Sequence, residues 1–243
     1  MVIRKLGMVC FGIPAAALIV LTGCNDTKPN SVPAAVQQSS APDHTPAIKS
    51  QFKQEAPARI VDKVNEQATV RAQTKTDNGI LLVRSSQREE IGHLDAPSSF
   101  GQAGDLTFTS DYSIIYKVHN EEYTVQKLPS LTFIQPSAAI IPFHRVSFAN
   151  ADMYLLTPQY DGDHGLVCYA IAIDLQSNKA IPLQFINQNG EPEVMTYSSR
   201  TMPVIENEQL IVQPGISGGS SEQQSQKKHY KLDMRKGELI EQP

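Results

Sequence analysis

The chain has 243 residues, 21 basic and 25 acidic side chains, a formal net charge of −4 and 40% hydrophobic residues. This balance leaves no cationic surplus to neutralise phosphates, which argues against nucleic acid as a partner and against adhesion to anionic headgroups by charge. No phosphate-binding glycine loop or dinucleotide fingerprint occurs, and His93, His144 and His229 lack metal-ligand spacing, so neither a cofactor nor a metal is expected.

The amino terminus carries Arg4 and Lys5, and the run from Leu6 to Leu21 that follows has no charged residue. That is the profile of a secretory signal. A membrane-spanning helix needs roughly 20 apolar residues, whereas this run is shorter and is interrupted by Gly7, Gly12 and Pro14. It closes on Leu21, Thr22, Gly23 and Cys24, and in this context the four residues resemble the lipobox of bacterial lipoproteins. The resemblance implies a diacylglycerol thioether on Cys24, cleavage between Gly23 and Cys24, and acylation of the new amino terminus by a fatty acid such as palmitate. Two or more acyl chains give stable anchoring, at roughly 0.8 kcal/mol per buried methylene. In Gram-negative members of the class, aspartate directly after the cysteine favours the inner membrane. Here Asn25 comes first and Asp26 second, so for a Gram-negative source the resemblance implies the outer membrane, facing the periplasm, and otherwise the cell membrane.

Loss of residues 1–23 removes Arg4 and Lys5, leaving 220 residues with 19 basic and 25 acidic side chains. Cys10 departs with the signal and Cys24 carries lipid, so Cys168 stands alone and no disulfide forms within the mature chain. Stability must then come from an apolar core. Residues 24–74 are expected to form a flexible tether. From Asn25 to Ala58 the chain is rich in Pro, Ala, Ser and Gln, with prolines at 29, 33, 42, 46 and 57, and it cannot bury enough surface to order itself. About 50 flexible residues span roughly 40 Å. Within 58–73, Ile60, Val61, Val64 and Ala68 recur at spacings near three and four, which predicts a short helix.

From residue 75 to residue 243 the pattern changes to short apolar, β-branched runs separated by turn residues. Strands are predicted at Gly79 to Arg84, Leu106 to Thr109, Ser113 to Val118, Tyr123 to Leu128, Leu131 to Gln135 and Ile140 to Phe148. Others follow at Met153 to Thr157, Leu166 to Leu175, Ala180 to Ile186, Thr201 to Ile205, Leu210 to Gln213 and Lys228 to Met234. Tight turns are expected at Ser177–Asn178 and at Lys236–Gly237. The reading is a mostly-β domain, an antiparallel sandwich or barrel. Leu166 to Ile173 is apolar on both alternating faces, so Cys168 reads as a small core residue on a buried strand. The order strand, polar loop, strand occurs twice, around Met153–Leu175 and Leu210–Met234. Propeller blades share that order, although a propeller needs at least about four.

Two segments suggest chemistry. Asp161, Gly162, Asp163, His164 and Gly165 place carboxylates at alternate positions, as a calcium loop begins, but the position where a terminal glutamate would stand is Ala172. A polar turn is the better reading. Pro214, Gly215, Ile216, Ser217, Gly218 and Gly219 resemble the nucleophile loop of trypsin-like serine proteases. That resemblance implies Ser217 as nucleophile and Gly215 as an oxyanion donor, and His119 and Asp152 fall in the family's chain order. The chain departs from the family at Val118, where a small or polar residue usually precedes the histidine, and in the polar 26-residue stretch after Ser217.

Together these features predict a lipid-anchored envelope protein: a non-enzymatic binding or assembly module without a catalytic residue, attached to the membrane through Cys24. Its partner is expected to be another envelope protein or a cell-wall component. The alternative is a serine hydrolase using Ser217, His119 and Asp152.

Overall fold

The computed structural model describes residues 48–52, 59–119, 121–162, 164–215 and 226–243. These residues form no helix; they form a six-stranded sheet, a nine-stranded sheet and a two-stranded ribbon, so the predicted mostly-β antiparallel fold holds. Most of the predicted tether lies outside the described residues.

The first sheet comprises β1 (Arg59–Asn65), β2 (Val70–Lys75), β3 (Gly79–Ser85), β4 (Glu89–Leu94), β5 (Leu106–Val118) and β6 (Glu121–Gln135). The helix predicted over 58–73 is corrected: these residues supply β1 and most of β2. The physical reason is a bulge. Val61 pairs with Gly92 and Val64 with Glu90, with a register shift between Val61 and Lys63. One inserted residue puts two apolar side chains three positions apart on the same face, which imitates helical spacing. The sheet therefore begins at Arg59, not after residue 74.

The four short strands predicted between Leu106 and Gln135 are two long ones. Strand β4 pairs with the first part of β5 and β3 with the second, so the two lie end to end along one side of β5, with β6 along the other. Midway the register shifts at Asp111, whose Oδ1 accepts the Ser130 amide at 2.8 Å, bending the hairpin.

The predicted strand Ile140 to Phe148 is divided at Pro142. Ile141 exchanges backbone hydrogen bonds with Arg71 and Gln73 of the first sheet, and the chain then enters the second sheet at β7 (His144–Ser147). There follow β8 (Ala151–Leu156), β9 (Leu166–Val167), β10 (Tyr169–Asp174), β11 (Ala180–Ile186), β12 (Pro192–Glu193) and β13 (Thr196–Tyr197). The last four are β14 (Val204–Glu206), β15 (Gln209–Val212), β16 (Lys228–Asp233) and β17 (Glu238–Gln242).

The main path of this sheet runs β14-β15-β16-β17-β11-β10-β8-β7. The repeated sequence pattern is thus two antiparallel meanders, joined where β11 and β17 run parallel. Both predicted tight turns are present, with Asn178 at φ 54° and Gly237 at φ 70°. The sheet curls until its end strands approach, His144 Nε2 lying 3.3 Å from the Pro203 carbonyl.

Strands β8 and β10 form the wall between two apolar cores. Met153 and Leu155 of β8, with Ala170 and Ala172 of β10, face a core inside the curled sheet. Tyr154, Leu156, Ile171 and Ile173 point the other way, against Phe108, Tyr112, Ile114 and Phe133 of the first sheet. Two buried faces demand apolar residues at every position rather than at alternate ones.

Candidate functional site

The predicted site residues are distributed unevenly. Cys24, Ser217 and Asp163 lie outside the described residues. Asp152, near the start of β8, has both oxygens engaged: Oδ2 accepts Arg145 Nη2 and Oδ1 accepts Ser147 Oγ, each at 2.6 Å. Arg145 also reaches Asp77 at 2.9 Å, so this carboxylate belongs to an ionic clasp joining the β2–β3 turn to the second sheet. Gly215 sits against the backbone of His164 and Gly165, beyond the other end of β8, because Leu156 pairs with Tyr169 there. Asp152 and Leu156 alone are separated by roughly 13 Å of strand. The described residues do not assemble a triad.

Asp161 behaves as a turn residue. Its Oδ1 accepts the Gly162 amide at 2.9 Å, and Gly165, at φ 97°, donates its N–H to the Gly162 carbonyl. Cys168 is buried, with Sγ 3.8 Å from Met195 Sδ. Burial pushes its thiol up to about 12, which leaves almost no thiolate for nucleophilic attack near neutral pH.

His119 lies elsewhere, at a cleft of about 470 Å³. The end of β5, the start of β6 and the β10–β11 turn build this cleft. Its floor is Tyr116, 2% exposed, whose hydroxyl donates to Asn178 Oδ1 at 2.7 Å. The same Oδ1 accepts Asn78 Nδ2 at 3.4 Å. The turn that carries Asn178 is held by Asp174, whose Oδ1 accepts the Ser177 amide at 2.6 Å and the Ser177 hydroxyl at 2.8 Å. These bonds, the backbone one first, lower the Asp174 carboxyl below its ordinary value. Asn tolerates the left-handed conformation the turn needs, and here its amide also fixes the cleft floor.

One wall is Tyr123 with Val125 of β6, and the rim carries His119 and Lys179. Tyr123 is 49% exposed and donates to Glu121. Among the described residues, neither the Lys179 ammonium nor the His119 ring has a hydrogen-bond or ion-pair partner. Other acids near the cleft are engaged: Glu122 pairs with Arg84 at 2.8 Å. The cleft thus offers an aromatic face, a polar turn and uncommitted donors, and its volume falls within the range of small-ligand sites, about 300–1,000 Å³. Sequence reasoning singled out His119 for a different role and read Ser177–Asn178 only as a turn. Nothing in the local sequence marks Lys179 as a neighbour of Tyr116 and Tyr123, because the ends of two separate hairpins, β5–β6 and β10–β11, bring them together.

Comparison with protein-family models, curated proteins and solved structures gives no match to this chain.

Proposed function

We propose that the protein is a lipid-anchored component of a bacterial envelope, tethered through Cys24, whose β domain binds another envelope component without performing chemistry on it. The sequence Leu21–Cys24 behind a charged start and an apolar run supports the anchor. The observation that carries the binding role is the cleft beside His119 and Lys179, where donors and an aromatic wall converge while the described carboxylates nearby are already engaged. In a Gram-negative cell, Asn25 at the position after the cysteine supports the outer membrane, with the domain in the periplasm.

The anchor is tested by fractionation. Wild-type protein should sediment with membranes and show a lipid-sized mass increment on Cys24, and Cys24→Ala should lose both. A processed Cys24→Ala protein that stayed membrane-bound would count against the anchor. Crosslinking in intact cells, followed by recovery from membranes, should yield an envelope partner whose capture weakens in a Lys179→Glu variant.

The hydrolase alternative rests on Pro214–Gly219 and makes a different forecast. A fluorophosphonate probe would label Ser217, with the signal lost in Ser217→Ala. On the binding reading no such labelling occurs.

A further inference from the structure

The cleft is bordered by a strand edge. Over Glu121–Leu128, β6 pairs with β5 along one side, and among the described residues no strand pairs with its other side. An edge of this kind presents alternate backbone N–H and C=O groups to an incoming extended chain. Tyr123, Thr124 and Val125 belong both to this edge and to the lining of the cleft. The edge is also short. Ile115 pairs with Thr124 and Ile114 with Gln126, so Val125 is a bulged residue that interrupts the regular ladder. The bulge breaks the regular spacing of the edge, and two or three residues of a chain that ends there could pair without crossing it.

What would meet that chain end includes one uncommitted cation, Lys179, with the charge of Glu121 engaged only by a tyrosine hydroxyl. Lys179 and His119 stand at the rim without protein partners among the described residues, while Glu121 and Glu122 are held by Tyr123 and Arg84 respectively. A carboxylate is the complement of an ammonium and an imidazole N–H that line one cleft, and charge-assisted hydrogen bonds are the strong ones. A terminal carboxylate with its last residues extended would satisfy edge and rim together.

We propose that this cleft captures the free carboxyl terminus of an extended polypeptide, its last residues pairing along β6 beside Tyr123 and its carboxylate bound by Lys179 and His119. The proposal rests on the reading of the domain as a binding module and names the ligand class of that module. Tyr123 flanks the penultimate side chain, and Tyr116 with Val118 forms the apolar floor beneath it. The carboxylate supplies orientation, the edge supplies register, and the tyrosines supply apolar contact.

The test uses the full-length chain in detergent and fluorescence anisotropy. The probe is a randomised pentapeptide pool, fluorescein-labelled at its amino end, with free carboxyl termini in one preparation and amidated termini in the other. The free-acid pool should bind, the amidated pool should bind about tenfold or more weakly, and Lys179→Gln should cause a similar loss for the free acid. Tyr123→Ala should weaken both pools. Equal binding of the two pools, indifference to Lys179→Gln, or no binding at all would overturn the proposal. Competition by sodium acetate as effective as by unlabelled peptide at the same concentration would overturn the polypeptide assignment, because the carboxylate would then be acting alone. Labelling of Ser217 or failure of the Cys24 anchor would instead strike the wider reading and leave these outcomes intact.

Discussion

Strand β8 and the first two residues of β4 are buried on both faces, yet they are built from opposite materials. Strand β8 reads Ala-Asp-Met-Tyr-Leu-Leu, and its apolar side chains divide between two cores. Strand β4 begins Glu89-Glu90, each carboxylate at 0% exposure. Glu89 shares a face with Phe108 and Tyr112. It accepts Arg71 Nε at 2.8 Å, a second bond from the same guanidinium, and the Tyr112 hydroxyl at 2.6 Å. Glu90 points to the opposite face, where it accepts Arg59 at 3.1 Å, the Ser50 hydroxyl at 2.6 Å and the Gln51 amide at 2.9 Å. The difference is one of dependence. Apolar contacts around β8 are many and individually small, so losing one is a local matter. Each carboxylate of β4 is tolerable only while its arginine remains, because a buried charge without a partner is far more costly than an absent one.

The largest expected effect follows from removing one partner. Arg71→Ala leaves Glu89 buried without its cation, uncovers the Phe108 ring that the guanidinium sits over at 3.8 Å, and should lower unfolding stability by about 3–5 kcal/mol in urea denaturation. Replacing both partners, Arg71→Met with Glu89→Leu, should restore most of that loss. A double variant as unstable as Arg71→Ala would show that packing, not the unpaired charge, dominates. On the other side of the comparison, Leu155→Ala, at 1% exposure, should cost about 2–5 kcal/mol through lost transfer and a residual cavity. No second substitution elsewhere should rescue it.

Acid separates the two strands further. Burial alone would raise the Glu89 carboxyl, but hydrogen bonds from Arg71 and Tyr112 outweigh it and hold it below the ordinary 4.5. A carboxyl depressed in the folded state adds stability that is fully present above the ordinary glutamate range. That stability is lost as pH falls through the lower folded value. Urea midpoints compared at pH 7 and in the acid range below 4.5 should fall more steeply for wild type than for Glu89→Gln. Leu155→Ala should run parallel to wild type, displaced by a constant amount. If Glu89→Gln kept the full wild-type slope, Glu89 would not be the group responsible.

The same contrast explains what could be read from the sequence. Strand β8 and the run Leu166 to Leu175 were legible because continuous apolar residues have few alternatives to a doubly buried strand. Strand β4 was missed because Glu-Glu reads as solvent-facing unless Arg59 and Arg71, which come from other strands, are known to arrive. Strand β1 was misread as helix because its bulge put Val61 and Val64 on one face. The turns at Asn178 and Gly237 were legible because left-handed backbone restricts the residue types that fit. The cleft was not, since Tyr116 and Tyr123 face each other in the β5–β6 hairpin, whereas the β10–β11 turn, with Asn178 62 residues beyond Tyr116, belongs to another.

The last expected effect concerns Cys168, and it tests whether the two sheets are independent at all. Its thiol, pushed up to about 12 by burial in the second sheet's own core, should resist iodoacetamide at pH 8 in the folded protein. Labelling at Cys168, mapped by peptide mass, therefore counts openings of that core. Tyr154, Leu156, Ile171 and Ile173, on strands adjoining Cys168, pack against the first sheet. Loss of the Arg71–Glu89 pair should then be felt across the wall, and Arg71→Ala should speed Cys168 labelling by the factor that its urea stability loss dictates. A labelling rate unchanged in Arg71→Ala, despite a lowered urea midpoint, would mean that the first sheet opens alone and that β8 seals the second core without its neighbour.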